Sequence, residues 1–181
     1  MGWLKLLCLL FNERGVKMAA ARKFPVAIFL MFASVGLASS AELPKEGSYD
    51  YTTCFTRNST RIEYSKTHFA YSHEDSGTTV SKSPGGPFDN ESVRCVGMTA
   101  SFDGKNSGST VCMAVAENGD KRLTRFWYDS EGKYQREEVS GTGQYDGMVT
   151  TGSVKRVGET KLIKVGTTQY CNQATGTYKL K

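Results

Sequence analysis

Residues 93–128 read VRCVGMTASFDGKNSGSTVCMAVAENGDKRLTRFWY, and three features of this stretch decide the fold. Residues of β preference alternate with small or polar ones at a period of two, as Val96, Met98, Ala100 and Phe102 alternate with Cys95, Gly97, Thr99 and Ser101. The runs are short, and they are separated by Asp103-Gly104 and Asn118-Gly119, pairs that tolerate the positive φ of hairpin turns. A two-residue turn at Asn118-Gly119 would set Ala114 opposite Leu123 and Cys112 opposite Arg125. Val111, Met113 and Val115 would then share a face with Thr124, Phe126 and Tyr128, while Cys112, Leu123, Arg125 and Trp127 occupy the other.

Outward from this core the pattern repeats. No stretch after Ser48 shows sustained helical spacing of apolar residues, and candidate strands fall at 48–57, 60–73, 77–83, 93–102, 109–117, 121–128, 133–140, 144–155, 160–166 and 169–180. Asp75-Ser76-Gly77 and Asp129-Ser130-Glu131-Gly132 read as further turns, and Ser83 to Ser92, with Pro84 and Pro87, as the one long loop. The expected architecture is all-β: an antiparallel up-and-down β-barrel of about 8 to 10 strands, closed or nearly so because closure removes unpaired edges. A two-sheet sandwich is the alternative. A transmembrane barrel is disfavoured, since charge or small polar residues appear on both faces of many strands.

The first 41 residues are of another kind. Two apolar runs, Trp3 to Phe11 and Phe24 to Leu37, are each shorter than the roughly 18 to 20 residues a spanning helix needs. Met18, the basic pair Arg22 and Lys23, the second apolar run and the small residues Ala38 to Ala41 follow the order of a secretory signal. Residues 1–41 are therefore read as a signal region, with Met18 as a candidate true start, and 42–181 as a single exported domain without a transmembrane span.

That division changes the composition. The full chain of 181 residues has a formal charge of +5, which by itself suggests phosphate partners. Residues 1–41 hold five of the 23 Lys and Arg and one of the 18 acids, so the remaining 140 residues carry a net charge of +1. Nucleic acid is not an expected partner. Removing Cys8 leaves four cysteines, an even number that suits two disulfides in a periplasmic or secreted protein. Three pairings are possible. Cys54–Cys171, joining first and last strands, and Cys95–Cys112 are preferred, but the loop between the latter two leaves the register open. A turn at Asp103-Gly104 alone sets Cys95 against Cys112, whereas a loop from Asp103 to Gly108 gives a better apolar match and moves them apart.

The segment Gly141-Thr142-Gly143-Gln144-Tyr145-Asp146-Gly147 resembles the Gly-Thr-Gly-x-Tyr/Phe-x-Gly motif of small secreted bacterial proteins with an allene-oxide-cyclase-like, calycin-type barrel. Asn118-Gly119-Asp120-Lys121 and Cys171-Asn172-Gln173-Ala174-Thr175-Gly176 add to the likeness, which spans roughly residues 94–181; Thr150 departs from it, standing where such motifs often carry glycine. The resemblance implies a fold and little about function. No catalytic positions carry over from it.

Chemical signatures are sparse. His68 and His73 with Glu74 and Asp75 form the only cluster of metal-ligand types, but side chains five apart on a strand point to opposite faces, and the acids read as a solvated turn. No nucleophile elbow or Cys-His pair is present. No catalytic residues, metal site or cofactor are expected. Phe126, Trp127 and Tyr128 are the candidate binding residues, Phe126 and Tyr128 facing the interior and Trp127 outward. The expected function is an exported, non-enzymatic barrel binding a small apolar or amphipathic ligand, or an interaction module. Alternatives are a periplasmic protein inhibitor of the lysozyme-inhibitor kind, presenting the loop Ser83 to Ser92, and a barrel isomerase or cyclase.

Overall fold

The computed structural model describes residues 43–181, so the expected signal region, residues 1–41, lies outside the described residues. Eight strands follow in order: β1 (Glu46–Ser65), β2 (His68–Ser81), β3 (Ser92–Phe102), β4 (Lys105–Val115), β5 (Lys121–Tyr128), β6 (Tyr134–Gly141), β7 (Val149–Lys164) and β8 (Thr167–Lys179). A single 3-10 turn, Gly143–Tyr145, stands between β6 and β7. All pairings are antiparallel, in the order β6-β5-β4-β3-β2-β1-β8-β7. The sheet curls into a half-barrel whose edge strands β6 and β7 share no backbone ladder; a hydrogen bond from Thr150 Oγ1 to Glu138 Oε1 (3.2 Å) spans them instead. Among the described residues no helix is long and apolar enough to cross a membrane.

Eight strands replace the ten candidate segments because three expected breaks, at 58–59, 74–76 and 156–159, are continuous strand, while one new turn divides the segment 60–73. The expected turn at Asp75-Ser76-Gly77 lies within β2, and the β1–β2 hairpin turns instead at Lys66-Thr67. Arg57 and Asp75 face each other across the ladder as an opposite-charge pair, which supports pairing at that point. Gly77 serves close approach: a Cβ there would collide with the Cys54 carbonyl and meet the Phe55 ring. The segments 144–155 and 160–166 likewise merge, as β7 passes through an irregularity between Val157 and Lys161.

The Asn118-Gly119 hairpin differs by one residue from the expected two-residue turn. Ala116 accepts from the Gly119 N–H (2.9 Å) and donates to Asp120 O (2.8 Å), closing a three-residue loop with Gly119 at φ 88°. Cys112 therefore opposes Thr124, not Arg125, and Ala114 opposes Arg122. A shift of one residue exchanges face partners. Phe126 and Tyr128 share the inner face with Thr110, Cys112 and Ala114, while Val111 and Met113 lie outside.

On β3 the face of small residues, and not the apolar one, is turned inward. Val93, Cys95, Thr99 and Ser101 are buried, whereas Val96, Met98 and Phe102 are 52%, 59% and 62% exposed. The interior is crowded by arginines and aromatic rings from β1, β5 and β8, so small residues suit the opposite wall. Asp103-Gly104 alone makes the β3–β4 turn, which pairs Cys95 with Cys112 in direct register. Cys54 opposes Cys171 between β1 and β8, and both preferred disulfides are formed. Two disulfides fit an oxidising environment, periplasmic or extracellular.

Candidate functional site: the barrel interior

The alternation within each strand aims one set of side chains inward. In β1 these are Tyr49, Tyr51, Thr53, Phe55 and Arg57; in β2 Tyr71, His73 and Asp75; in β5 Arg122, Thr124, Phe126 and Tyr128. All but Tyr49 line a cavity of about 310 Å³ that is partly open to solvent and is covered at the Tyr49–Tyr51 end of β1.

The covered end is plugged by chain rather than by strand. Phe88, wholly buried, packs between Tyr49 (5.0 Å) and Tyr51 (5.1 Å) and stacks on Tyr145 (6.1 Å). Phe88 is delivered by the long loop, which Asp89 ties down by accepting from the N–H groups of Ser81 and Gly85 (both 3.0 Å). Those bonds hold the Asp89 carboxyl below its ordinary range. Of the loop Ser83 to Ser92, Pro87, Phe88 and Glu91 are buried, while Ser83 to Gly85, Asn90 and Ser92 are exposed. Tyr145 comes from the Gly-Thr-Gly-Gln-Tyr turn. Gly143 there has φ 53°, and a Cβ would collide with the Asp120 carboxylate, which accepts from the Gln144 N–H (2.9 Å). The glycine-rich motif is a docking turn on the β4–β5 hairpin.

Between plug and cavity lies a buried ionic cluster. Glu91, fully buried, accepts from Arg122 Nε (2.8 Å) and Nη2 (2.6 Å) in bidentate fashion. Arg122 Nη1 donates to Thr124 Oγ1 (3.1 Å), which in turn donates to Glu138 Oε2 (2.6 Å). Arg136 pairs with Glu138 and donates to the Tyr49 hydroxyl (3.1 Å). Two arginines and two carboxylates thus balance. Burial would raise the Glu138 pKa, but the charges of Arg122 and Arg136 outweigh it and hold the carboxyl below its ordinary value.

A second cluster stands farther from the covered end. Arg57 Nε and Nη2 donate to the two oxygens of Asp75 (2.6 and 2.8 Å), and Nη2 also reaches the Tyr170 hydroxyl (2.9 Å). Tyr170 donates to Asp75 Oδ2 (2.8 Å). Burial and the Asp75 charge both push the Tyr170 hydroxyl up, so it stays protonated. Burial also raises Tyr128. His73, with Thr110 Oγ1 3.2 Å from its Nε2, is driven below its ordinary value by burial first and by the Arg57 charge second, which keeps the imidazole neutral. His73 Nδ1 is buried without a partner.

Arg156, on β7, is the exception to this compensation. Its guanidinium stacks on Tyr170 (3.7 Å to the ring centroid), with Nε on Asn172 Oδ1 (3.0 Å) and Nη1 on Thr160 Oγ1 (2.8 Å). Both partners are neutral. No carboxylate pairs with it among the described residues, and it lines the cavity.

Of the three candidate binding residues, Phe126 and Tyr128 line the cavity and Trp127 does not; it lies on the outer face beneath Arg125 (4.6 Å). His68 and His73 point to opposite faces, with His73 inside and His68 beside Asp103 at the hairpin end. Among the described residues no group of three His, Cys, Asp or Glu side chains is placed to hold a metal. Asp75, expected in a solvated turn, is the buried partner of Arg57. The charged residues of the interior escape a sequence reading that equates inward with apolar. Their signal is continuity of phase: Tyr49, Tyr51 and Phe55 lead at the same parity to Arg57, and Phe126 and Tyr128 lead back to Arg122. Compared with protein-family models, curated proteins and solved structures, the chain matches none.

Proposed function

We propose that this is an exported, non-enzymatic binding protein whose half-barrel holds a small amphipathic ligand with an acidic group. The observation that carries the reading is the cavity itself. Its walls offer the aromatic surfaces of Phe126, Tyr128 and Tyr71 to an apolar part, and Arg156 offers a cation without a carboxylate partner to the acidic group. A mostly pre-formed concave site with few convergent polar groups is the usual character of small-molecule sites, and 310 Å³ stands at the small end of their range of about 300 to 1,000 Å³. The internal charges of Arg57 and Arg122 are neutralised by Asp75 and Glu91, which leaves Arg156 as the group that discriminates. The signal-like order of residues 18–41 and the two disulfides support export to the periplasm or beyond. A calycin-type relationship, suggested by the motif around Gly141 to Gly147, is compatible with an antiparallel curled sheet.

Incubation of the protein with a mixed lipid extract, followed by native mass spectrometry, tests the reading. Retention of a small acidic molecule is the expected result, with loss of that molecule in Phe126→Ala. No retained molecule would sink the proposal.

A further inference from the structure

The outer face of β1, β3 and β4 carries a continuous apolar patch that the cavity does not use. To Val96, Met98, Phe102, Val111 and Met113, β1 adds Ile62 and Tyr64, exposed by 74% and 93%. These are seven of the fourteen large apolar side chains exposed among the described residues, so half of such exposure is gathered on one face. The β3 row joins these side chains: Val96 opposes Val111, Ala70 lies between Ile62 and Ala100, and Met98, flanked by Ser72 and Ser109, stands between the two groups. At its end Tyr64, His68 and Phe102 stand edge to face, 6.3 and 6.4 Å apart. With about 100 Å² exposed on each side chain, the patch offers on the order of 700 Å². That exceeds the roughly 300 to 600 Å² of a typical monomer's largest patch and approaches the ~800 Å² one partner buries in a stable interface.

We infer that this face is the interface for a second copy of the chain, the two outer faces packing sheet on sheet about a two-fold axis. The charges within the patch select that occupant. Glu74 pairs with Arg94 (2.7 Å) and Arg125 with Glu137 (3.3 Å), all on the same face and all partly exposed. A bilayer interior would leave both carboxylates in hydrocarbon, at high cost. An isologous contact that sets residue i against j also sets j against i, so Glu74 of one copy against Arg94 of the other satisfies the Glu74 carboxylates of both copies at once. The apolar rows then close at the separation of about 10 Å that face-to-face sheets adopt.

Sedimentation velocity of the full chain, expressed with its own leader and recovered after export, reads this directly. The expected species has the mass of two copies. Met98→Lys and Val111→Lys, each placing a charge at the centre of the patch, bring the mass to that of one copy with the near-ultraviolet circular dichroism unchanged. Val80→Lys and Val149→Lys, exposed but outside the patch, leave the dimer intact. Should a lysine variant lose its native spectrum, Met98→Ser provides the same readout with a milder change. A single copy at every concentration overturns the inference, as does a dimer that survives the patch substitutions. Flotation of the wild type with mixed phosphatidylcholine and phosphatidylglycerol vesicles, lost in Met98→Lys, would assign the face to lipid and overturn it equally.

Discussion

Replacing Glu91 by glutamine removes one charge from the plug while keeping the shape of the side chain. Glu91 is fully buried and the Arg122 side chain is only 7% exposed, so neither ion can recover its loss through water. In the wild type the guanidinium has two bonds to Glu91, at 2.8 and 2.6 Å, and lies over the Phe88 ring at 4.7 Å. After substitution its nearest carboxylate is Glu138 at 3.7 Å, already engaged by Arg136. The cluster passes from two cations and two anions to an excess buried cation. Unit charges ~4 Å apart interact by about 4 kcal/mol at an effective dielectric of 20, and truncating one member of a buried pair costs about 3 to 5 kcal/mol. Urea unfolding of Glu91→Gln should therefore show a loss of about 3 kcal/mol, and calorimetry a melting temperature lower by roughly 10 °C. The double variant Glu91→Gln/Arg122→Met should cost less than the sum of the two single changes, since the orphaned cation is gone. A loss below ~1 kcal/mol for Glu91→Gln, or strict additivity in the cycle, would refute the assignment of a coupled ionic plug.

Removing the disulfides should destabilise unequally. Their sequence separations of 117 and 17 residues give, in the chain-entropy treatment, about 5 kcal/mol for Cys54–Cys171 and about 3 kcal/mol for Cys95–Cys112, and urea unfolding of the paired alanine variants checks the order. Acid should weaken the plug. Because the folded Glu138 pKa lies below the ordinary 4.5, its contribution is complete above pH 4.5 and is lost as pH falls through the folded value; the stability of Glu138→Gln should fall less steeply over that window. His73 acts in the same direction at higher pH: its folded pKa is below 6.5, so its contribution is whole above pH 6.5 and declines below, and His73→Asn should flatten the unfolding profile there. Gly143→Ala should lower the melting temperature more than Gly132→Ala, since both glycines have positive φ but only the Gly143 Cβ meets an obstacle, the Asp120 carboxylate.

Local patterning accounts for how much of this was legible in the chain. Alternation from Val93 to Tyr128 and the turn pairs at Asp103 and Asn118 are properties of a few adjacent residues, and both hairpins form where those residues stand. The register at Asn118-Gly119 was not legible, because two- and three-residue loops use the same glycine and differ by one residue in what they set opposite. Nor was the inward face of β3. Which of two alternating sets faces the interior depends on partners such as Arg122 and Tyr170 that are distant in sequence, and an interior filled with paired charges breaks the link between inward and apolar. Asp75 shows the same limit: beside Ser76 and Gly77 it has the composition of a turn, and only Arg57 across the ladder makes it strand. Phe126 and Tyr128 face inward as expected but share that face with Thr110 and Cys112 and not with Val111 and Met113, whereas Arg156 has no local mark.

The cavity and its uncompensated arginine are tested most directly by calorimetric titration of a medium-chain fatty acid and its matching alcohol into the wild type and Arg156→Gln. Arg156 is exposed, so its pairing with a carboxylate is worth about 0.2 to 1 kcal/mol; the wild type should favour the acid by up to about fivefold, and the variant should bind the two alike. Heat from neither molecule, or a preference for the acid that survives in Arg156→Gln, would contradict the account.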